Sequence, residues 1–397
     1  MVPVEAVLKV HPPMNPLLVS PHVNGGVCQY TYCLADALQG QGENTSVLTQ
    51  ASPAYELAGL KHRHAVCPLL RISMTPVSRL INPIRNLRTM LDLAKSTEVV
   101  HYQWPLGPRQ DVLQWKALKR AGKRIVYTAH NVEPHEAGNR GEAHTGWLYS
   151  QADAIIVHGE HLRDILLKAY PEVAPCRVHV HRLGNYNFLA DGFAKWNRAE
   201  ARQSFGWSEE EQCVLFFGLL RHYKGLDVLI EACKQLLALT PGLRPRLRLL
   251  VVGSSLGDYW EKERYEERIA QAGLTEMTSC IVEHVPLEDV GRYFHAADIV
   301  ALPYRSGSQS AVIPAAYAFG KPVITTNVGS LAESVVPGET GWIVPPEDPA
   351  AFANALHSLL LDPIQSRKMG QNARHYANTV LDWKTAAQSA NQLYHTL

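Results

Sequence analysis

Short apolar runs alternate along this chain with stretches whose apolar residues recur every three or four positions. That alternation predicts βαβ units and parallel sheets. In the first half the strand candidates are VEAVLKV, NTSVLTQ, EVVHYQW, RIVYTAH and AIIVHG, with helices such as Gln29–Gly40 and Asp111–Ala121 between them. In the second half they are CVLFFGLL, LRLLVVG, SCIVEHV, IVALPY, KPVITTN and GWIVPP, with helices over Gly225–Leu239, Tyr259–Ala272 and Ala311–Phe319. A stretch rich in Gly and Asn and poor in periodicity separates the two series. The expected organisation is an α/β chain with a Rossmann-like domain over 1–183, a linker over 184–212 and a second Rossmann-like domain over 213–375. Residues 363–397 read as a pair of terminal helices.

Composition narrows the function. The chain has 397 residues, 46% hydrophobic and 19% charged, enough for two cores and unlike a disordered protein. A net charge of +1 argues against a nucleic-acid binder. Seven scattered cysteines without a C-x-x-C pair argue against a disulfide framework or a zinc site and suit a reducing compartment. Eighteen histidines form no H-E-x-x-H motif, and there is no D-x-D motif for a nucleotide-bound cation. The first residues lack a long apolar signal segment, and no apolar run reaches the length of a membrane span. The expectation is a cytoplasmic protein, at most peripheral to a membrane.

In doubly wound folds, ligands sit beyond the carboxyl ends of the parallel strands, and residues suited to chemistry lie there. In FFGLLRHYKGLDVLIEA a strand ends at Gly218, and Arg221 and Lys224 precede a helix from about Gly225. Two cations beside a helix N-terminus suit a diphosphate, although solvated loop cations would read the same way. After IVALPY comes a run of small polar residues from Ser306. The backbone amides of Gln309, Ser310 and Ala311 would open the next helix towards an anion. Gly25 and Gly26 permit close backbone approach before the first helix, but the full G-x-G-x-x-G fingerprint is absent. IVYTAHN delivers His130 to a strand end as a candidate catalytic group. His101 and His158 also end strands and are expected to support it.

Taken together and in this order, these motifs resemble a retaining glycosyltransferase of family 4, with the GT-B fold. The resemblance covers nearly the whole chain. It rests on the Gly25–Gly26 loop, TAHN with His130, the G-x-x-R-x-x-K-G variant of Gly218, Arg221, Lys224 and Gly225, AYAFGKPVI (316–324), NVGSLAE ending at Glu333, and GETGWIVPP. It implies two Rossmann-like domains facing a cleft. The first would hold the acceptor and the second a UDP- or GDP-sugar, with a last helix over 376–397 packing back on the first. It also implies that Arg221 and Lys224 neutralise the donor diphosphate, that His130 helps position the sugar, and that Gly25, Gly26, Gly218, Gln309, Ser310, Ala311 and Glu333 line the donor site. No metal or other cofactor is expected. Many family members carry two glutamates eight residues apart in the phosphate loop and helix. Here those positions are Gly307 and Ala315, as in a subgroup with a Ser-rich loop, so sugar and ribose contacts would fall to others, with Gln309 and Ser310 as candidates.

The first 182 residues carry about +5 and the remainder about −4. Within the basic half, 71–95 places Arg71, Arg79, Arg85 and Arg88 ahead of the first acid, Asp92, on a stretch of helical apolar spacing. It reads either as a helix packed on the sheet or as a face for anionic lipid near a lipid-linked or saccharide acceptor. The competing functional readings are a non-catalytic sugar-nucleotide-binding protein, a dinucleotide-dependent dehydrogenase and a sugar epimerase of the same fold.

Overall fold

The computed structural model describes residues 13–22, 25–49, 65–68, 76–132, 139–193, 195–254 and 262–397. The chain runs β1 (Leu17–Ser20), α1 (Gly26–Gln39), β2 (Ser46–Thr49), β3 (Ala65–Pro68), α2 (Pro76–Ala94), β4 (Val99–Tyr102), α3 (Pro108–Arg120), β5 (Arg124–Thr128), α4 (Asn139–Gln151), β6 (Ala154–Val157), α5 (Glu160–Ala169) and β7 (Val178–Val180). Two short helices follow, α6 (Asn187–Asp191) and α7 (Arg198–Gln203). Then come β8 (Gln212–Phe217), α8 (Leu226–Leu239), β9 (Leu247–Val252), α9 (Lys262–Gln271), β10 (Thr278–Ile281), α10 (Leu287–Ala296), β11 (Ile299–Leu302), α11 (Val312–Ala318), β12 (Val323–Thr326) and β13 (Gly341–Val344). Three helices close the chain: α12 (Pro349–Leu361), α13 (Pro363–Thr379) and α14 (Trp383–Thr396).

Among the described residues the strands form two parallel sheets, ordered β3-β2-β1-β4-β5-β6-β7 and β10-β9-β8-β11-β12-β13. Both are doubly wound, and the strand order reverses beside β1 in the first sheet and beside β8 in the second, which is where such folds hold ligands. The inner strands β1, β4, β6, β11 and β12 are buried on both faces, so they read as continuous apolar runs rather than alternating ones. The six strands expected in the second half form its sheet. In the first half the leading strand differs. VEAVLKV lies outside the described residues, and LLVS over 17–20 is the strand that enters the Gly25–Gly26 loop. Pro16, before it, and Pro21, after it, bound a run too short to stand out as a strand. The short strands β3 and β7 were likewise not expected from the pattern.

The segment expected as a linker over 184–212 is largely built into the second unit. Its helix α7 packs on α10. The fully buried Arg202 in α7 pairs with Asp298 at 2.6 Å, and Arg198 reaches the same carboxylate at 2.7 Å. The chain crosses between the units twice, and the two crossings are bonded to each other. The Asn185 N–H donates to Leu381 O at 2.7 Å, and Trp383 Nε1 donates back to Asn185 O at 2.7 Å. Beyond the second crossing α14 lies on α1, where Ala387, Ala390, Leu393 and Tyr394 join a core with Leu18, Tyr30, Leu34 and Val126.

Candidate active site

The second sheet supplies the charge. β8 ends at Phe217, the backbone turns through Gly218, a 3₁₀ turn carries His222–Lys224, and Gly225 leads into α8. Gly225 has φ +69°, and a Cβ there would lie 2.0 Å from Pro303 O, so the loops after β8 and β11 meet only because this residue has no side chain. The Lys224 side chain is buried against this turn. Its Nζ lies 5.3 Å from the Tyr304 ring centroid and 2.9 Å from where a Gly218 Cβ would stand. Burial lowers its pKa, the neighbouring Arg221 lowers it further, and Tyr223 acts in the opposite direction. Among the described residues no carboxylate pairs with Lys224. A buried cation beside the positive end of a 14-residue helix is unfavourable until an anion arrives.

The loop after β11 is held from several sides. Tyr304 Oη lies 3.2 Å from Ser310 Oγ, Thr326 Oγ1 donates to Tyr304 O at 2.6 Å, and the Ser330 N–H donates to Ser308 O at 3.0 Å. Arg305 locks this loop to the one after β8. It binds Asp227 through two parallel bonds of 2.8 Å and reaches Glu347 at 3.0 Å and His222 O at 3.0 Å. Gly307 sits at φ +150°, a region that favours glycine, so the loop is shaped differently from one with a glutamate there. Ala315 is buried within the core of the second unit.

The first sheet supplies neutral polar groups. β5 delivers His130, which is buried. Its Nδ1 is 3.1 Å from His158 Nε2, and His158 Nδ1 is 2.9 Å from His181 O. The Tyr30 ring on α1 meets both imidazoles edge-on, with centroids 4.9 and 5.0 Å away. His101 is buried between Tyr394 Oη and Thr128 Oγ1, each at 2.7 Å. Burial disfavours the imidazolium at all three positions. His130 is held well below the usual histidine range by burial and by the histidines around it, His158 falls to about 4 and His101 to about 3.

The two halves meet at these same residues. Gln309 Nε2 donates to His130 O at 3.1 Å. A Cβ on Gly26 would lie 3.8 Å from the Ala311 Cβ. Direct contacts across the cleft thus join His130 to Gln309 and Gly26 to Ala311, while Gly218, Lys224 and Ser310 lie on the side of the second unit and Gly25 has nothing within 4 Å of where its Cβ would stand. Arg221 stands at the head of the turn that carries Lys224. Glu333 lies beside Gly159, the residue after His158. Both its oxygens accept from the N-terminal amides of α5, those of Glu160 and His161, at 2.8 Å each, so its carboxylate bridges the two units instead of facing Lys224.

Among the described residues, several buried groups here have no hydrogen-bond partner: His130 Nε2, Gln309 Oε1, Ser330 Oγ, Ser20 Oγ, His22 Nε2 and both amide atoms of Gln103. Buried polar groups are normally satisfied, so a row of orphans at strand ends marks where a hydroxylated ligand would bind. Sequence reasoning missed Ser20, Gln103, Tyr30 and Arg305. The usable signal was positional: Ser20, Gln103, His130, His158 and His181 each stand within two residues of the end of a strand in one sheet.

Comparison with known proteins agrees with this architecture. Residues 24–184 match the model of Glycosyltransferase Family 4, and residues 197–376 match that of Glycosyl transferases group 1. A D-inositol 3-phosphate glycosyltransferase of Thermobifida fusca (strain YX) is 26% identical over 395 residues, covering 93% of this chain and 88% of the relative. The enzyme of the same name from Corynebacterium efficiens (strain DSM 44549 / YS-314 / AJ 12310 / JCM 11189 / NBRC 100395) is 33% identical over 280 residues, 68% of this chain and 65% of the relative. The crystal structure of Anabaena HepE in complex with UDP and glucose superposes with a TM-score of 0.76 at 19% identity, covering 97% of this chain and 100% of that one. The two Rossmann-like units, the cationic turn after β8 and the matches along both halves make this chain a family 4 glycosyltransferase of the GT-B fold.

Proposed function

We propose that the enzyme is retaining and metal-independent, and moves a hexose from a nucleotide-diphosphate sugar to a hydroxyl of a saccharide or lipid-linked acceptor. The observation that carries this reading is the buried Lys224 beside Arg221, without a carboxylate partner among the described residues, opposite the neutral His130 and Gln309 pair. The cations oppose the charge that grows on the leaving diphosphate, and each contributes about 2–4 kcal/mol to the transition state. The acceptor hydroxyl approaches on the face the diphosphate is leaving, and the departing phosphate oxygen takes its proton, so no strong protein base is required. The protein's share is charge stabilisation and alignment. Of the two donor nucleotides expected, UDP is favoured, because the similarly folded HepE was crystallised with UDP and glucose. His130 Nε2 and Gln309 Oε1, both buried and without a partner among the described residues, are the acceptors that would hold the donor's hydroxyls in place of glutamates at Gly307 and Ala315.

The test is transfer from UDP-glucose and GDP-mannose to inositol 3-phosphate and to neutral saccharides, with and without EDTA, and with the anomeric configuration of the product read by NMR. EDTA-resistant transfer with retained configuration is expected. Inverted product or EDTA-abolished turnover would overturn the mechanism. Donor binding without transfer to any acceptor would favour a non-catalytic sugar-nucleotide binder, a reading prompted by the missing glutamates.

We also propose peripheral membrane contact at the cytoplasmic face through α2. No described helix is long and apolar enough to cross a membrane. On α2, however, Ile81, Ile84, Arg85 and Arg88 are all exposed at helical spacing, which joins apolar and basic groups on one face. Co-sedimentation with phosphatidylglycerol vesicles, lost on Arg85→Glu/Arg88→Glu, is the expected result. Equal recovery of both proteins would refute it.

A further inference from the structure

His158 contributes nothing to the charge chemistry above, yet it is buried at the end of β6 and its ring is bonded at both nitrogens. One of those partners fixes the rest. A backbone carbonyl can only accept, so His158 Nδ1, 2.9 Å from His181 O, carries the proton. His158 Nε2 is then a bare lone pair, and His130 Nδ1, 3.1 Å away, must donate to it. It follows that His130 Nε2 has no proton. That atom is buried and without a partner among the described residues, on the residue whose backbone carbonyl accepts from Gln309.

We propose that His158 is a positioning residue that sets the tautomer of His130, so that His130 Nε2 is offered to the substrate as a hydrogen-bond acceptor. The role in transfer rests on the glycosyltransferase reading; the tautomer itself does not. Which nitrogen of a histidine carries the proton is set by the bond its other nitrogen makes, and this relay sets it twice in succession. The register supports its rigidity. Val157 pairs with Val180, so His158 and His181 leave adjacent strands side by side, and the His181 N–H donates to Val157 O at 2.9 Å. Tyr30 closes edge-on over both rings, and Trp383 of α14 lies 5.2 Å beyond it, so neither imidazole turns freely. Burial and neighbouring histidines keep His130 neutral, which leaves two tautomers to choose between. An acceptor at Nε2 can receive a bond from a sugar hydroxyl. A proton there would make it a donor and leave an orphan N–H opposite any hydroxyl already donating.

The experiment is long-range ¹⁵N–¹H correlation on the ¹⁵N-histidine-labelled full chain near pH 7.5, with His130 assigned by its loss in His130→Gln. Wild type is expected to show His130 protonated at Nδ1 and bare at Nε2. In His158→Leu the acceptor is gone, and His130 is expected to shift towards the Nε2–H tautomer. Transfer from UDP-glucose should fall about tenfold in kcat, the worth of one neutral hydrogen bond. His158→Gln, whose amide oxygen can accept from Nδ1 while its amide nitrogen donates to His181 O, should restore both. A wild-type spectrum with the proton on His130 Nε2 overturns the relay even if no variant folds. So does a folded His158→Leu with an unchanged His130 tautomer or undiminished kcat. The expected tautomer pattern in a protein that neither binds nor turns over nucleotide sugars would support the relay and overturn the glycosyltransfer reading.

Discussion

Replacing Lys224 by methionine should move stability and binding in opposite directions. The lysine ammonium is buried beneath Tyr304 with no carboxylate paired to it among the described residues, and it stands two residues before the start of α8. Several effects bear on it in the absence of ligand, among them Tyr223, which favours the ammonium, and Arg221, which opposes it. Desolvation disfavours the charge, as does the positive end of the helix dipole. The Tyr304 ring favours it, by about 0.5–2 kcal/mol. Methionine keeps most of the apolar stem and removes the charge, so the stem's packing is retained. An uncompensated buried polar group costs about 1–3 kcal/mol, more when charged. The balance after subtracting the ring contact is a stabilisation of about 0.5–1 kcal/mol for the methionine variant. For a unit of this size each kcal/mol raises Tm by about 2–4 °C.

With nucleotide the sign reverses. The ammonium is then paired with a diphosphate, and losing it removes about 2–4 kcal/mol, some 30- to 1000-fold in kcat/KM. Differential scanning calorimetry without ligand, followed by a UDP titration, measures both. Lys224→Met should melt higher than wild type alone and gain little from UDP, while wild type gains much. A variant that melts lower without ligand and still binds UDP normally would show that Lys224 is a structural cation and would refute the diphosphate site.

Stability should fall steeply in mild acid. His101, His158, His181 and His295 have native pKa values of about 3, 4, 4 and 4 against 6.5 for an ordinary histidine, chiefly through burial. The unfolded chain therefore binds more protons below about pH 6.5. Stability is lost as pH drops towards 4, by up to about 1.4 kcal/mol per pH unit for each histidine. Urea unfolding from pH 7 to 5 checks this, and a flat profile would refute it. Asp298→Ala should destabilise by about 3–5 kcal/mol, because it strands the fully buried Arg202, whereas removing both charges in Asp298→Ala/Arg202→Met should recover much of the loss. Denaturant midpoints for both variants decide it, and equal losses would argue against a stranded charge. Glu333→Ala should remove the cap on α5 and loosen the contact between the units. A larger radius of gyration by X-ray scattering with a Tm lowered by no more than a few degrees is expected, and an unchanged radius would refute the bridging role.

How far the sequence discloses this site depends on where the information resides. The anion side is local. Gly218, Arg221, Lys224 and Gly225 occupy eight consecutive residues between one strand and one helix, so spacing alone brings them together. The second sheet is legible for the same reason, since its strands are apolar runs bounded by turn residues. The first sheet is harder. LLVS is four residues between prolines, and β3 and β7 are no longer, so their membership is set by pairing with neighbours rather than by their own pattern. Glu333 shows the other limit. It sits in a motif whose resemblance implies a donor contact, and the structure puts its carboxylate on a helix start 172 residues away in sequence.

The neutral half of the site is the least local of all. His130, His158 and His181 end three separate strands, and nothing in their spacing along the chain reveals that one ring bonds the next. Register does: neighbouring parallel strands of similar length finish level, so the first polar residue after each stands beside the first after the next. The row of histidines is thus a consequence of sheet topology, and so is the direction of its hydrogen bonds, because it terminates on a backbone carbonyl that can only accept. The same sheet that builds the core therefore dictates, through one oriented bond, which face of His130 meets the substrate. The missing glutamates fit this picture. A loop that presents Gln309 to the backbone of His130 leaves two neutral acceptors on the two sides of one contact, and a sugar hydroxyl can be held by those without a carboxylate at Gly307.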